Sequence, residues 1–167
     1  RRKILDNFLF SKAREVADTT IEGFTVHEVL KDGETVCGVS GKSESGESIE
    51  LKGKVVFGAD GFNSVIARKL DLYSHDPKHW VVALRCYYKG VKGLTDQIEL
   101  HYVDEVIPGY FWIFPLEDGY ANIGIGMLHE YIKSENIDLK VALNNAMNSK
   151  AFRARFAEAE PMEEPIG

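Results

Sequence analysis

The residues best suited to chemistry lie in Gly58-Ala59-Asp60-Gly61-Phe62-Asn63-Ser64, directly behind the apolar run Val55-Val56-Phe57. Glycines at 58 and 61 let a backbone turn sharply and come close to a ligand. A helix is expected over 63–70, capped by Asn63 or Ser64, and a helix N-terminus offers unpaired N–H groups to a phosphate or a sugar hydroxyl. Asp60 then has two readings of equal weight. It can accept hydrogen bonds from ribose hydroxyls or hold an arginine, or it can cap the helix by satisfying backbone donors.

A second group is Tyr110, Trp112 and Phe114, inside the stretch running from Pro108 to Pro115. Alternate residues of a strand share a face. Three aromatics in a row suit an apolar chain or a flat ring system. They equally describe the inner face of a sheet, and from the residues alone that core reading ranks first.

Other motifs fail on spacing. Gly41-Lys42-Ser43 resembles the end of a phosphate loop, but Val36 stands where the first glycine is needed, and the segment lies between strands. Gly124 and Gly126 form a GxG whose third glycine is replaced by His129, outside any βαβ unit. Small residues there fit close packing of backbone or ligand against a strand. His75, His79 and His101 do not form a metal site, because Pro77 breaks any shared helical face and no acid or cysteine completes the set. Cys37 and Cys86 are far apart and read as free thiols in a reducing compartment.

These residues need elements to hold them. Ile4, Leu5, Phe8, Leu9, Ala13 and Val16 recur at helical spacing over 4–17. Strands are expected at 24–30 and 34–40 around a Lys-Asp-Gly turn, followed by a polar turn at 41–48. Segments 48–51 and 54–57 continue this meander, and the strand ending at Phe57 reads as buried because its apolar residues do not alternate. After a connector at 71–79 the pattern changes to four strands, at 80–88, 96–103, 109–116 and 120–127. Leu139, Ala142, Leu143, Ala146 and Met147 follow a helical period, and Phe152 and Phe156 suggest a short second helix. The expected fold class is mixed α/β and α+β, with domains at 1–78 and 79–167.

The chain has 167 residues, 44% of them apolar and 28% charged, with a formal net charge of −6. It can bury a core. The acidic balance argues against a nucleic-acid surface. No apolar run approaches the ~20 residues of a transmembrane helix, and no signal peptide is visible. A start without Met and an end at Glu-Glu-Pro-Ile-Gly suggest part of a longer protein.

Val55 to Leu70 closely resembles the GADGxxSxVR segment of flavoprotein hydroxylases and their relatives. The opening helix resembles the same family's R-x-x-x-D-x-x-L-x-x-x-A pattern, with Arg2, Asp6, Leu9 and Ala13 in those positions. The resemblance implies an FAD-binding, Rossmann-like domain with a β-meander. It places Ala59, Asp60, Gly61 and Ser64 against FAD and Arg2 close to it, and makes Leu9 and Ala13 packing residues. Ala67 stands where that family most often has arginine, which leaves Arg68 without a defined part in NADPH binding.

The second half resembles the geranylgeranyl reductase branch, whose substrate domain carries a Y-x-W-x-F-P motif. Tyr110, Trp112, Phe114 and Pro115 match it, as do the following Asp-Gly turn and Asn122-Ile-Gly-Ile-Gly126. The resemblance turns the aromatic row into the wall of a substrate cavity near the flavin. It implies an FAD-dependent oxidoreductase that passes hydride from reduced flavin to an isoprenoid C=C bond, with NAD(P)H or another donor supplying electrons. The expected partner is a prenyl compound, and the expected location is the cytoplasm, with peripheral membrane contact compatible. No catalytic residue is assigned. Flavin-dependent hydroxylation or halogenation is the alternative on the same scaffold. A non-catalytic module that binds lipid or protein through its aromatic sheet is the alternative of another class.

Overall fold

A computed structural model describes residues 2–167. The chain divides into two compact units, one running to Ser74 and the other spanning His75–Gly167. The break falls within the connector at 71–79.

The first unit opens with helix α1, Arg2–Val16. A three-stranded antiparallel sheet follows, made of β1 (Phe24–Asp32), β2 (Thr35–Ser43) and β3 (Ser48–Lys52) in that spatial order. The β1–β2 turn is made by Gly33 at φ 58°, a conformation that costs glycine little. Gly41-Lys42-Ser43 is not part of a turn. It pairs with Phe24-Thr25-Val26 at the end of β2, so the polar turn is shorter than expected. Helix α2, Val65–Lys69, closes the unit's regular structure, and Lys69 ion-pairs with Glu28 of β1.

Two expectations fail here. Residues 54–57 are not a strand, and Val55 and Phe57 are 67% and 87% exposed. A strand buried on both faces needs a ladder partner and covering layers, and the described residues supply neither. Helix α1 buries none of its residues. Leu9, read as a packing residue, is 55% exposed, and Ala13 is exposed as well.

The second unit is a five-stranded antiparallel sheet with strands β4 (Val81–Lys89), β5 (Glu99–His101), β6 (Tyr110–Pro115), β7 (Tyr120–Leu128) and β8 (Glu160–Pro161), ordered β5-β6-β7-β4-β8. Helices α3 (His129–Ser134), α4 (Leu139–Asn148) and α5 (Arg153–Phe156) complete it. Asp138 caps α4 by accepting from the Lys140 and Val141 amides at 2.8 and 3.2 Å. The helix then lays Ala142, Leu143, Ala146 and Met147 against Leu84, Phe111, Ile113, Ile123 and Ile125 of the sheet. Burying each large aliphatic or aromatic side chain contributes about 1.5–3 kcal/mol, so this single core accounts for the unit's cohesion.

Strand β8 and helix α3 were not anticipated. The tail pairs with β4 through Tyr88–Pro161 and Lys89–Glu160, and again at Arg85–Ile166. Its Pro and Glu content carries no strand signal; an available sheet edge supplies the partner.

One polar clamp pins the β4–β5 connection. Arg155 donates to both carboxylate oxygens of Glu99 at 2.7 and 2.8 Å, and to the carbonyls of Lys92 and Gly93 at 2.9 and 3.1 Å. His101 contacts the same carboxylate at 2.9 Å. The Arg155 hydrogen bonds hold the Glu99 carboxyl below its ordinary pKa against the opposing effect of burial. Arg155→Met should therefore destabilise the fold by about 2 kcal/mol, measured by denaturant unfolding followed by tryptophan fluorescence. Because the folded pKa is depressed, the Glu99 contribution is fully present above the unfolded pKa. It is lost as pH falls through the lower folded value. Glu99→Gln should flatten that acid limb of the stability curve.

Candidate functional site

In the first unit the chain reaches Gly58 without regular structure and then turns into α2. Asp60 Oδ1 accepts from the Ser64 hydroxyl at 2.5 Å, and Oδ2 accepts from the Val65 and Ile66 amides at 2.6 and 3.2 Å. Ser64 Oγ in turn accepts from the Ala67 amide at 3.0 Å. Of the two readings of Asp60, helix capping is the one seen in these contacts. The expected open helix N-terminus is corrected accordingly: the first free amides of α2 are already taken. Gly61, at φ 75°, makes the turn that folds Asp60 back onto the helix. The Ser64 hydroxyl above all, with help from the Ile66 and Val65 amides, holds the Asp60 carboxyl below the usual carboxylate range, burial opposing.

Gly58 has a packing reason as well. A side-chain carbon there would sit 3.0 Å from Ile66 of α2. Gly58, Ala59 and Asp60 line an open cleft of about 320 Å³ with Val26, Val39 and Ile66. Its walls are mostly apolar. A carboxylate offers roughly four acceptor positions, and three on Asp60 are in use. One direction stays available for a hydroxyl donor, which fits a ribose edge of FAD. A dinucleotide is much larger than this cleft, so these residues alone could not enclose one.

The other first-unit residues are engaged locally. Arg2 contacts Asp6 one turn further along α1 at 2.6 Å, so the two polar residues of the opening motif pair with each other. Arg68 donates to Asn63 at 3.0 Å, and its guanidinium lies 4.7 Å from the Tyr73 ring centroid.

In the second unit, register settles which face each candidate occupies. Phe111 pairs with Ile125 and Ile113 with Ile123, and these four belong to the helix-covered core. Trp112 pairs with Gly124, Tyr110 with Gly126, and Phe114 with Asn122. The aromatic row therefore lies on the opposite face, outside the helix-covered core, with Tyr110 and Phe114 half-buried and Trp112 buried among its neighbours. Across β7 the same face continues to Ala83, Arg85 and Tyr87 of β4, and beyond β6 to Leu100 of β5. Arg85 ion-pairs with Glu163 and lies 4.7 Å from the Tyr87 ring centroid. Pro115 does not join the row. It pairs with core residue Ala121, because side chains alternate along the strand.

The three rings form a continuous wall. The Trp112 ring stands 5.9 Å from Tyr110 and 5.9 Å from Phe114, nearly parallel to the latter. The glycines of β7 make this arrangement possible. A side-chain carbon on Gly124 would sit 2.7 Å from Cε2 of the indole and closer still to Cζ2. One on Gly126 would meet the Tyr110 ring at 3.2 Å. Trp112 lies flat over this bed, only 8% exposed, and its indole N–H donates to Asn122 Oδ1 at 3.1 Å. The GxG of 124–126 thus accommodates neighbouring rings. Asn122 was not among the candidate site residues. The signal for it was the N-x-G-x-G alternation that answers Y-x-W-x-F on the neighbouring strand.

Residues 82–162, which contain this whole sheet face, match the geranylgeranyl reductase catalytic domain family. Over 99% of its length the chain is 31% identical to a digeranylgeranylglycerophospholipid reductase 2 of Methanopyrus kandleri. The chain belongs to the geranylgeranyl reductase family. It spans 42% of the length of that relative. A menaquinone reductase of Mycobacterium tuberculosis is 44% identical over 75 residues, 42% of this chain and 18% of that protein. The fold is that of FAD-binding oxidoreductases and halogenases. The flavin-dependent brominase Bmp2 superposes with a TM-score of 0.81 at 24% identity, over 99% of this chain and 42% of its own. A geranylgeranyl bacteriochlorophyll reductase-like protein from Thermoplasma acidophilum gives 0.74 at 21%, over 98% and 40%.

The Asp60 cap predicts a local effect. Asp60→Ala should speed amide hydrogen exchange at Val65 and Ile66, while exchange within β1–β3 stays unchanged. Unaltered exchange at both amides would contradict the capping role.

Proposed function

We propose that the protein carrying this chain is an FAD-dependent reductase that saturates C=C bonds of an isoprenoid lipid. The observation that carries this reading is the match of residues 82–162 to the geranylgeranyl reductase catalytic domain, with the aromatic row inside it. Relatives named as digeranylgeranylglycerophospholipid reductases support a prenyl lipid as the substrate class.

In this reading Ala59, Asp60, Gly61 and Ser64 form part of the FAD site. Asp60 binds a ribose hydroxyl through its remaining acceptor direction, and its depressed pKa keeps it ionised for that purpose. Arg2 stands near the cofactor. Tyr110, Trp112 and Phe114 carry the isoprenoid chain on their faces and keep water from it. When bound, reduced FAD would supply the hydride for the double bond, and a proton taken up at the neighbouring carbon would complete the saturation. NAD(P)H or another donor re-reduces it. Peripheral contact with a membrane is the proposed route to a lipid substrate. Among the described residues no helix is long and apolar enough to cross one.

Hydroxylation or halogenation through the same scaffold is the second reading, favoured by the 0.81 TM-score to Bmp2. At 24% identity that likeness concerns the fold, and the sequence relatives rank reduction first.

The full-length protein should purify with a flavin spectrum that bleaches under dithionite. With a geranylgeranyl lipid, mass spectrometry should show the gain of two hydrogens per double bond. Trp112→Ala should lower kcat/KM roughly tenfold. Oxygen-dependent formation of a hydroxylated or halogenated product, or a protein that never takes up flavin, would overturn the proposal.

A further inference from the structure

The outer face holds a carboxamide, Asn122, whose orientation is set by Trp112 and whose amide donors are unused. Asn122 sits between Phe114 of β6 and Tyr87 of β4, its cross-strand neighbours on that face. A carboxamide can present either its oxygen or its nitrogen to a neighbour, because the two ends are nearly the same size and shape. Here chemistry decides. The indole N–H of Trp112 can only donate, so the atom 3.1 Å from it is the Asn122 oxygen. The amide nitrogen then points the other way. Among the described residues it has no hydrogen-bond partner, although it can give two hydrogen bonds. Trp112 cannot drift, because Gly124 lets its ring lie against the strand and Phe114 stacks beside it. The amide is therefore held with its N–H2 displayed beside the Phe114 and Tyr87 positions, on a face that Arg85 also shares.

Such a group selects. Any molecule that covers the wall removes water from this N–H2. A ligand with an acceptor oxygen at that point replaces the lost hydrogen bond, and one without it leaves a donor unsatisfied. We infer that Asn122 is a ligand-reading residue whose amide N–H2 donates to an acceptor oxygen of the molecule lying on the Tyr110–Trp112–Phe114 face. This rests on the reading of that face as a ligand wall. The oxygen belongs either to the apolar substrate or to a carbonyl of the flavin ring, and the two sources leave different traces. Asn122 has a second task as a positioning residue, since it fixes the indole that fixes it.

The two tasks separate by substitution in the full-length protein. Asn122→Asp keeps an acceptor for Trp112 and removes the donor. Asn122→Leu removes both. The probes are geranylgeranylacetone, whose carbonyl only accepts, and phytene, a hydrocarbon of similar reach without oxygen. Binding is measured by calorimetry. The state of Trp112 is read as the emission difference between each protein and its Trp112→Phe counterpart. Asn122→Asp should weaken geranylgeranylacetone about tenfold, leave phytene within about twofold, and leave the Trp112 emission as in the parent. Asn122→Leu should lose the same affinity and also shift that emission. If the acceptor is a flavin carbonyl, both probes keep their affinity in Asn122→Asp, while the flavin absorbance and reduction potential move. The inference is overturned if Asn122→Asp changes neither the probes nor the flavin, or if it weakens both probes equally. A parent protein that binds geranylgeranylacetone in this Asn122-dependent way but saturates no prenyl lipid would remove the reductase reading and leave this one standing.

Discussion

The second unit depends on one register: Trp112 of β6 opposite Gly124 of β7. With any side chain at 124, the indole would have to lift off the strand by more than about 1 Å to restore an ordinary carbon contact. The same glycine lets β7 run close to β4, where a side-chain carbon would collide with the Leu84 carbonyl as well as the ring. One missing side chain therefore holds three strands together and flattens the outer face. The opposite parity of the same two strands, Phe111, Ile113, Ile123 and Ile125, fills the core under α4. A slip of one residue would exchange the faces, burying the aromatic row and exposing the isoleucines. Fold and candidate site are thus two readings of a single pairing.

The first unit works by a different economy. Its candidate residues form a turn that satisfies itself: Asp60 and Ser64 between them take the amides of Val65, Ile66 and Ala67. A turn of that kind is rigid before any ligand arrives. Pre-organisation of this sort lowers the entropy lost on binding. The capping reading and the binding reading are compatible, because a carboxylate has more acceptor positions than the cap uses.

Much of the architecture was legible in the sequence. The hairpin around Gly33, the four strands of the second unit and α4 with its buried face all follow from period and turn chemistry. The misses share a cause. Val55 and Phe57 read as a buried strand from their neighbours in sequence, yet burial depends on what lies beside them in space. The tail at Glu160–Pro161 has no strand propensity, yet it pairs because β4 has an edge to offer. Helix α1 shows an amphipathic pattern with no layer among the described residues to cover it. In each case the information sits in the partner and not in the segment.

The sequence by itself determined which residues could share a face: Tyr110, Trp112 and Phe114 must, because strand side chains alternate, and Asp60 must stand at a turn that Gly61 permits. It also carried the family, through Y-x-W-x-F-P and the Gly-Ala-Asp-Gly segment. It could not say whether the aromatic row faced the core or the outside, since both faces of this sheet are apolar and alternation is symmetric between them. Helix α4 decided that by covering the isoleucine face. Nor could the sequence orient the amide of Asn122 or fill the amides of α2. Those depended on which donor came within hydrogen-bonding distance of which acceptor, a matter of a few tenths of an ångström that only the folded chain fixes.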